Sequence, residues 1–136
     1  MFDLNSALNQ LNGQISNVFI GSFLHLFNWD QQFAICKRIV SLLDLSKENL
    51  VLGRQVGNVE ASEYEKHILA DDQNKTRFRH NTESFAELWN KVGEATGTKW
   101  ETKASQLSLT EVESYAAVGW NPAGSTRLTF TVRRKV

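Results

Sequence analysis

Residues 15–27 read ISNVFIGSFLHLF, and the placement of this stretch decides the fold. It is dense in β-branched and aromatic residues, and both of its alternating faces are apolar. A half-solvated antiparallel strand alternates apolar with polar side chains. A run that is apolar on both faces is instead expected where helices cover a parallel sheet on two sides. The stretch therefore predicts a buried parallel strand, with His25 at its C-terminal end.

The flanking segments extend that reading. Upstream, Leu4, Leu8 and Leu11 recur at helical spacing between Asp3, a possible N-cap, and the stop Asn12-Gly13, which predicts a helix over residues 3–12. Downstream, Asp30 is placed to cap a helix whose Phe33, Cys36, Val40 and Leu43 form an inward stripe. Leu50-Val51-Leu52 predicts a second short buried strand, and the two glycines of GRQVGN (53–58) predict a loop at its C-terminal end. Residues 60–82 are polar and charged, and fit either a helix or a long lid-like loop. Glu83 to Ala95 predicts a helix with Phe85, Leu88, Trp89 and Val92 inward, capped by Asn81 or Thr82. Thr98 to Leu109 reads as a strand and NPAGS (121–125) as a turn. Thr126 to Arg134 alternates as the second strand of an antiparallel pair. The order predicts one α/β domain over residues 1–136, with about four strands, two parallel and then an antiparallel pair, and flanking helices. Residues 1–14 are read as an added helix, and 60–82 as a possible lid.

The length suits one domain with a real core. Fifteen basic residues balance fifteen acidic ones and are dispersed along the chain, which argues against a nucleic-acid footprint. Arg133-Arg134-Lys135 is read as a solvated strand edge. Cys36 is the only cysteine, so no intramolecular disulfide or thiolate zinc cluster is possible. Its place on a helix stripe makes it a small buried hydrophobe. No apolar run reaches membrane-span length and no signal pattern opens the chain, so no membrane contact and a cytoplasmic location are expected. His25, His67 and His80 have no metal-ligand spacing, and no metal is expected.

Three segments, SFLHLFNWDQQ (22–32), NLVLGRQVGN (49–58) and RFRHNTESFAELWNKVGEATGTKW (77–100), resemble the C-terminal half of class I S-adenosylmethionine-dependent methyltransferases, in particular the fungal enzymes that act on polyketide and terpenoid intermediates. The resemblance runs in order from about Asn17 to the end. It implies a truncated Rossmann-like methyltransferase fold that keeps the last four of seven strands and lacks the glycine-rich turn and the ribose-binding acid of the cofactor half. No G-x-G motif occurs in the sequence, so no cofactor is expected and S-adenosylmethionine is disfavoured. The strand through Phe19–Leu26 would then have a bare edge, for which a homodimer through that strand and its flanking helices is expected.

Ligands of open α/β sheets sit beyond the C-terminal strand ends, which brings His25, Asn28, Trp29, Arg54 and Gln55 to one rim. The resemblance implies that these face the methyl acceptor. His25 suits a general acid or base, or else a structural histidine in a crowded strand end. Arg54 suits a carboxylate or enolate oxygen, or an ion pair with Glu60 or Glu63. Trp29 suits an apolar pocket wall or interior packing. Arg77, Arg79 and His80 cluster in the RFRHN stretch, from which Arg79 is taken as a substrate contact and His80 as a second proton shuttle; His80-Asn81 could equally just begin the next helix. The expected activity is a cofactor-independent cyclisation or isomerisation of a small polyketide or terpenoid in fungal secondary metabolism. His25, Arg54 and His80 would be catalytic, and Asn28, Trp29, Gln55 and Arg79 would bind substrate. The competing expectations are a non-catalytic partner of a full-length methyltransferase and a residual S-adenosylmethionine-dependent methyltransferase.

Overall fold

The structure is a computed structural model that describes residues 4–65, 76–109 and 123–136. Its elements run α1 (Leu4–Asn9), β1 (Asn17–Gly21), α2 (Trp29–Leu42), β2 (Leu50–Asn58), β3 (Ser62–Glu65), β4 (Thr76–Arg79), α3 (Thr82–Thr96), β5 (Lys99–Ser108) and β6 (Ser125–Lys135). Four strands form one sheet in the order β1-β2-β6-β5, while β3 and β4 pair separately. β1 and β2 are parallel, and β2–β6 and β6–β5 are antiparallel. This is the expected α/β architecture, with the parallel pair followed by an antiparallel pair.

Registry assigns every strand residue to a face. Val18, Ile20, Val51, Gln55, Leu128, Phe130 and Val132 share the face that carries the core. The buried stripes of α2 and α3 complete that core, with Cys36 and Val40 from one helix and Phe85, Leu88, Trp89 and Val92 from the other. Burial pushes the Cys36 thiol up to about 12, so it behaves as a hydrophobe. Arg134 is more than a solvated edge: its guanidinium donates to Asn49 Oδ1 at 2.6 Å and to the Leu45 and Lys47 carbonyls at 2.7 Å, tying β6 to the loop before β2. No helix among the described residues is long and apolar enough to cross a membrane.

Three expectations change. The first strand stops at Gly21, not at Leu26 or Phe27. Ser22 adopts a positive φ of 52°, and Leu24–Leu26 form a 3-10 turn that drops Leu24 into the core. The apolar run continues because the turn still buries Leu24, although Phe23 and Leu26 beside it are exposed, and alternation alone does not distinguish such a turn from strand. Second, GRQVGN is strand rather than loop. Its glycines permit close approach: a Cβ on Gly53 would lie 1.9 Å from the Ile20 carbonyl oxygen, and one on Gly57 2.3 Å from that of His80. Third, α2 is capped by Asn28, not Asp30. The Asn28 side chain accepts from Gln31 N–H at 2.9 Å, and Gln31 returns a bond to the Asn28 N–H at 3.1 Å. Within 60–82, the two ends form β3 and β4, and 66–75, with His67, lie outside the described residues. The cap Asp3 and the turn residues 121–122 lie outside them too.

α3 follows expectation, capped by Asn81, whose side chain accepts from Ser84 N–H at 2.8 Å. Replacing Asn81 by alanine removes that acceptor and is expected to cost about 1 kcal/mol, measurable as an equal loss in urea-unfolding free energy with an unchanged m value.

Candidate functional site

The site is built where the parallel strands end. From Gly21 the chain turns through Leu24–Leu26 and presents His25 against β2, where its Nδ1 accepts the Val56 backbone N–H at 3.1 Å. An accepting Nδ1 places the imidazole proton on Nε2. Burial, then the charges of Arg79 and Arg77, hold the His25 pKa down to about 4. At neutral pH His25 is therefore a neutral ring with an Nε2–H to donate, and a weak base.

β4 carries the two arginines. It lies against the 3-10 turn and β2: Phe78 N–H donates to Phe27 O at 2.9 Å, and Asn58 N–H to His80 O at 3.0 Å. Arg77 and Arg79, two residues apart on one strand, share a face; across the pair they lie opposite Tyr64 and Ser62. Arg79 is 3% exposed, yet its Nε and Nη1, like Arg77 Nε, have no hydrogen-bond partner among the described residues. Burial and the neighbouring Arg77 lower the Arg79 pKa to about 10. Burial alone lowers that of Arg77. A buried guanidinium beside a half-buried one, with no carboxylate among the described residues acting on either, is costly, and their common attraction is for an anion, which guanidinium groups bind with paired donors.

Gln55 is 2% exposed, with neither amide oxygen nor nitrogen bonded among the described residues. It shares the helix-bearing face of β2, so its neighbour Arg54 points the other way and is exposed. His80 is fully buried: its Nδ1 meets Ser84 Oγ and its Nε2 meets Gln32 Oε1, each at 2.9 Å. Trp29, Phe78 and Phe85 rings surround it at 4.6 to 5.5 Å, and burial lowers its pKa to about 3. Its surroundings are those of a structural histidine, with both ring nitrogens occupied. Trp29 packs edge-on against Phe78 at 5.0 Å, and Asn28 is spent on the α2 cap. Of the sequence candidates, then, His25 and Arg79 come together, while Arg54, His80, Trp29 and Asn28 are placed elsewhere or occupied. Arg77 was passed over, although the R-x-R spacing on a strand was the signal that could have found it.

A parallel strand pair closed by an antiparallel pair, with helices along it, is one half of the S-adenosylmethionine methyltransferase fold. The structure matches a Burkholderia thailandensis 1,6-didemethyltoxoflavin-N1-methyltransferase, solved with 1,6-didemethyltoxoflavin and S-adenosylhomocysteine, at a TM-score of 0.56 and 14% identity, over 92% of this chain and 46% of that one. In sequence it is 36% identical to the O-methyltransferase phiE of a fungal species, over 98% of this chain and 47% of that protein. It is 30% identical to the asnovolin E/chermesin D methyltransferase nvfJ of Aspergillus novofumigatus, over 82% of this chain and 40% of that protein. No protein-family model matches. The chain is thus methyltransferase-like over most of its length, related to the fungal O-methyltransferases, and it spans about half the length of the curated relatives it matches or less.

These likenesses overturn the expectation of no cofactor, because relatives that are methyltransferases and a solved neighbour holding S-adenosylhomocysteine point to S-adenosylmethionine. The described residues do not themselves fit the nucleotide. Such folds hold it at a tight glycine-containing turn from strand into helix. Here the strand-to-helix connection after β1 is SFLHLFN (22–28), filled by buried Leu24 and ending in the α2 cap, while β2 runs on to β3.

Proposed function

We propose that the chain is the acceptor-binding half of an S-adenosylmethionine-dependent O-methyltransferase of fungal secondary metabolism, and that its acceptor is a polyketide or terpenoid intermediate with an acidic oxygen. The observation that carries this reading is buried Arg79 beside half-buried Arg77 and His25, with Arg79 Nε and Nη1 and Arg77 Nε unbonded among the described residues. An acceptor that arrives as an oxyanion needs no general base. Arg79 and Arg77 hold its charge, and the His25 Nε2–H orients it. A cyclase or isomerase role draws no support from the histidines, since His25 is a weak base and both nitrogens of His80 are occupied.

The test is a titration followed at the His25 ring by NMR, with 2,4-dihydroxybenzoic acid and its methyl ester at equal concentration. The acid is expected to shift the ring signals saturably and the ester to leave them in place. Equal responses to both, or none to either, would remove the reading.

A further inference from the structure

Across from the two arginines stands a tyrosine with no part yet in the site. β3 and β4 pair antiparallel, with Ser62 opposite Arg79 and Tyr64 opposite Arg77. Directly opposed residues share a face. Ser62, Tyr64, Arg77 and Arg79 therefore lie on one side of the pair, while Glu63 and Glu65 alternate to the other. None of the four is acidic. Of the residues of β3, only Tyr64 is turned inward; the other three are exposed. The strand is fastened where it lies, because the Glu63 carboxylate accepts the Trp29 N–H at the start of α2 at 3.0 Å.

The Tyr64 hydroxyl donates to the Glu60 carbonyl oxygen at 2.9 Å, at the exposed surface. Water can take the place of the phenol at that carbonyl, so the bond is cheap to give up. Burial, then the Glu60 carboxylate, raise the Tyr64 pKa above its ordinary value, with Arg79 pulling the other way. The phenol is therefore a neutral O–H donor at neutral pH. Burial and Arg77 oppose the charge on Arg79, and the Tyr64 phenol favours it, so the two side chains act on each other across the pair.

We infer that Tyr64 is a third donor to the acceptor's oxyanion, its O–H turning from the Glu60 carbonyl to the oxygen that Arg77 and Arg79 hold. The inference rests on the proposed acceptor reading and adds a specificity-determining residue to it. Held from β4 alone, an oxyanion could slide along the two arginines. Held from β3 as well, it has one position, which fixes the oxygen that is presented for reaction. No covalent bond changes at Tyr64, and the proton stays on the phenol oxygen.

The experiment repeats the His25-ring titration with 2,4-dihydroxybenzoic acid on the wild-type protein and on Tyr64→Phe. Removing the hydroxyl is expected to weaken acid binding about tenfold, the low end of what a hydrogen bond to a charged group contributes. The ligand-free His25 signals and the urea-unfolding midpoint should stay near those of the wild type. In the wild-type protein the Tyr64 ring signals should shift along the same saturation curve as those of His25, a readout that needs no variant. Equal affinity in the two proteins would overturn the inference, as would Tyr64 signals that stay still while His25 moves. Tighter binding by Tyr64→Phe would overturn it too, since the ring would then be a cover that the acid displaces. Each of these outcomes leaves the acceptor reading standing. An acid that leaves His25 unmoved in the wild-type protein removes that reading, and the inference with it.

Discussion

Arg79→Met is expected to make the protein more stable and less able to bind an acidic acceptor. Arg79 is buried, its Nε and Nη1 are unbonded among the described residues, and Arg77 repels it. Replacing a buried charge by an apolar side chain of similar length relieves desolvation, by about 1–2 kcal/mol on the scale of buried-charge replacements. The midpoint of thermal unfolding should rise by a few degrees. Over the same change, binding of the acid should weaken about 100-fold, the worth of a charge-assisted pair of hydrogen bonds. A third readout separates these effects from general repacking. Arg79 is the larger of the two charges holding down the His25 pKa, so in the variant the His25 ring should titrate at a higher pH. A less stable variant with unchanged acid affinity would show that Arg79 is a packing residue.

Acid should unfold the protein well above the carboxylate range. His25 and His80 are held neutral in the folded state, with pKa values near 4 and 3, while in the unfolded chain each titrates near 6.5. Below pH 6.5 the unfolded state therefore binds up to two more protons than the folded one, so stability falls as pH falls. The slope grows from about half of 1.4 kcal/mol per pH unit at pH 6.5 towards that full value for each histidine, and sums to about 3 kcal/mol for both between pH 6.5 and 5. That is a large share of the stability of a domain this size. The loss stops growing only below the folded pKa values. His80→Gln should roughly halve the slope, and urea unfolding at pH 5, 5.5, 6 and 6.5 measures it. A flat profile over this range would mean that neither ring is enclosed in solution.

Much of the fold was legible because α3 and β6 repeat with clean periods. Phe85, Leu88, Trp89 and Val92 mark one helix face, and Leu128, Phe130 and Val132 one strand face. β2 was cut short because glycine usually punctuates. At Gly53 and Gly57 it instead makes room for a backbone crossing that only the tertiary fold creates. That error carried into the site. With 53–58 read as loop, Arg54 and Gln55 shared a rim, whereas strand parity sends them to opposite faces. The 3-10 turn hid inside an apolar run, yet His25 still reached the site because the run ends at the strand mouth. Arg77 carries no signal of its own in the sequence beyond the R-x-R spacing, because its significance lies in standing beside buried Arg79, which depends on how β4 packs against the Leu24–Leu26 turn.

The place of β6 between β2 and β5 has a consequence for synthesis. The strand that bridges the parallel and antiparallel parts of the sheet emerges from the ribosome after both of its neighbours. Until then β2 and β5 lack their shared partner, and the Arg134 tie to Asn49 across 85 positions is unmade. Folding of this unit therefore waits on contacts of long sequence separation, which form slowly and leave strand edges open meanwhile. Within this unit, the apolar segments that precede β6 stay exposed to mispairing until β6 is made.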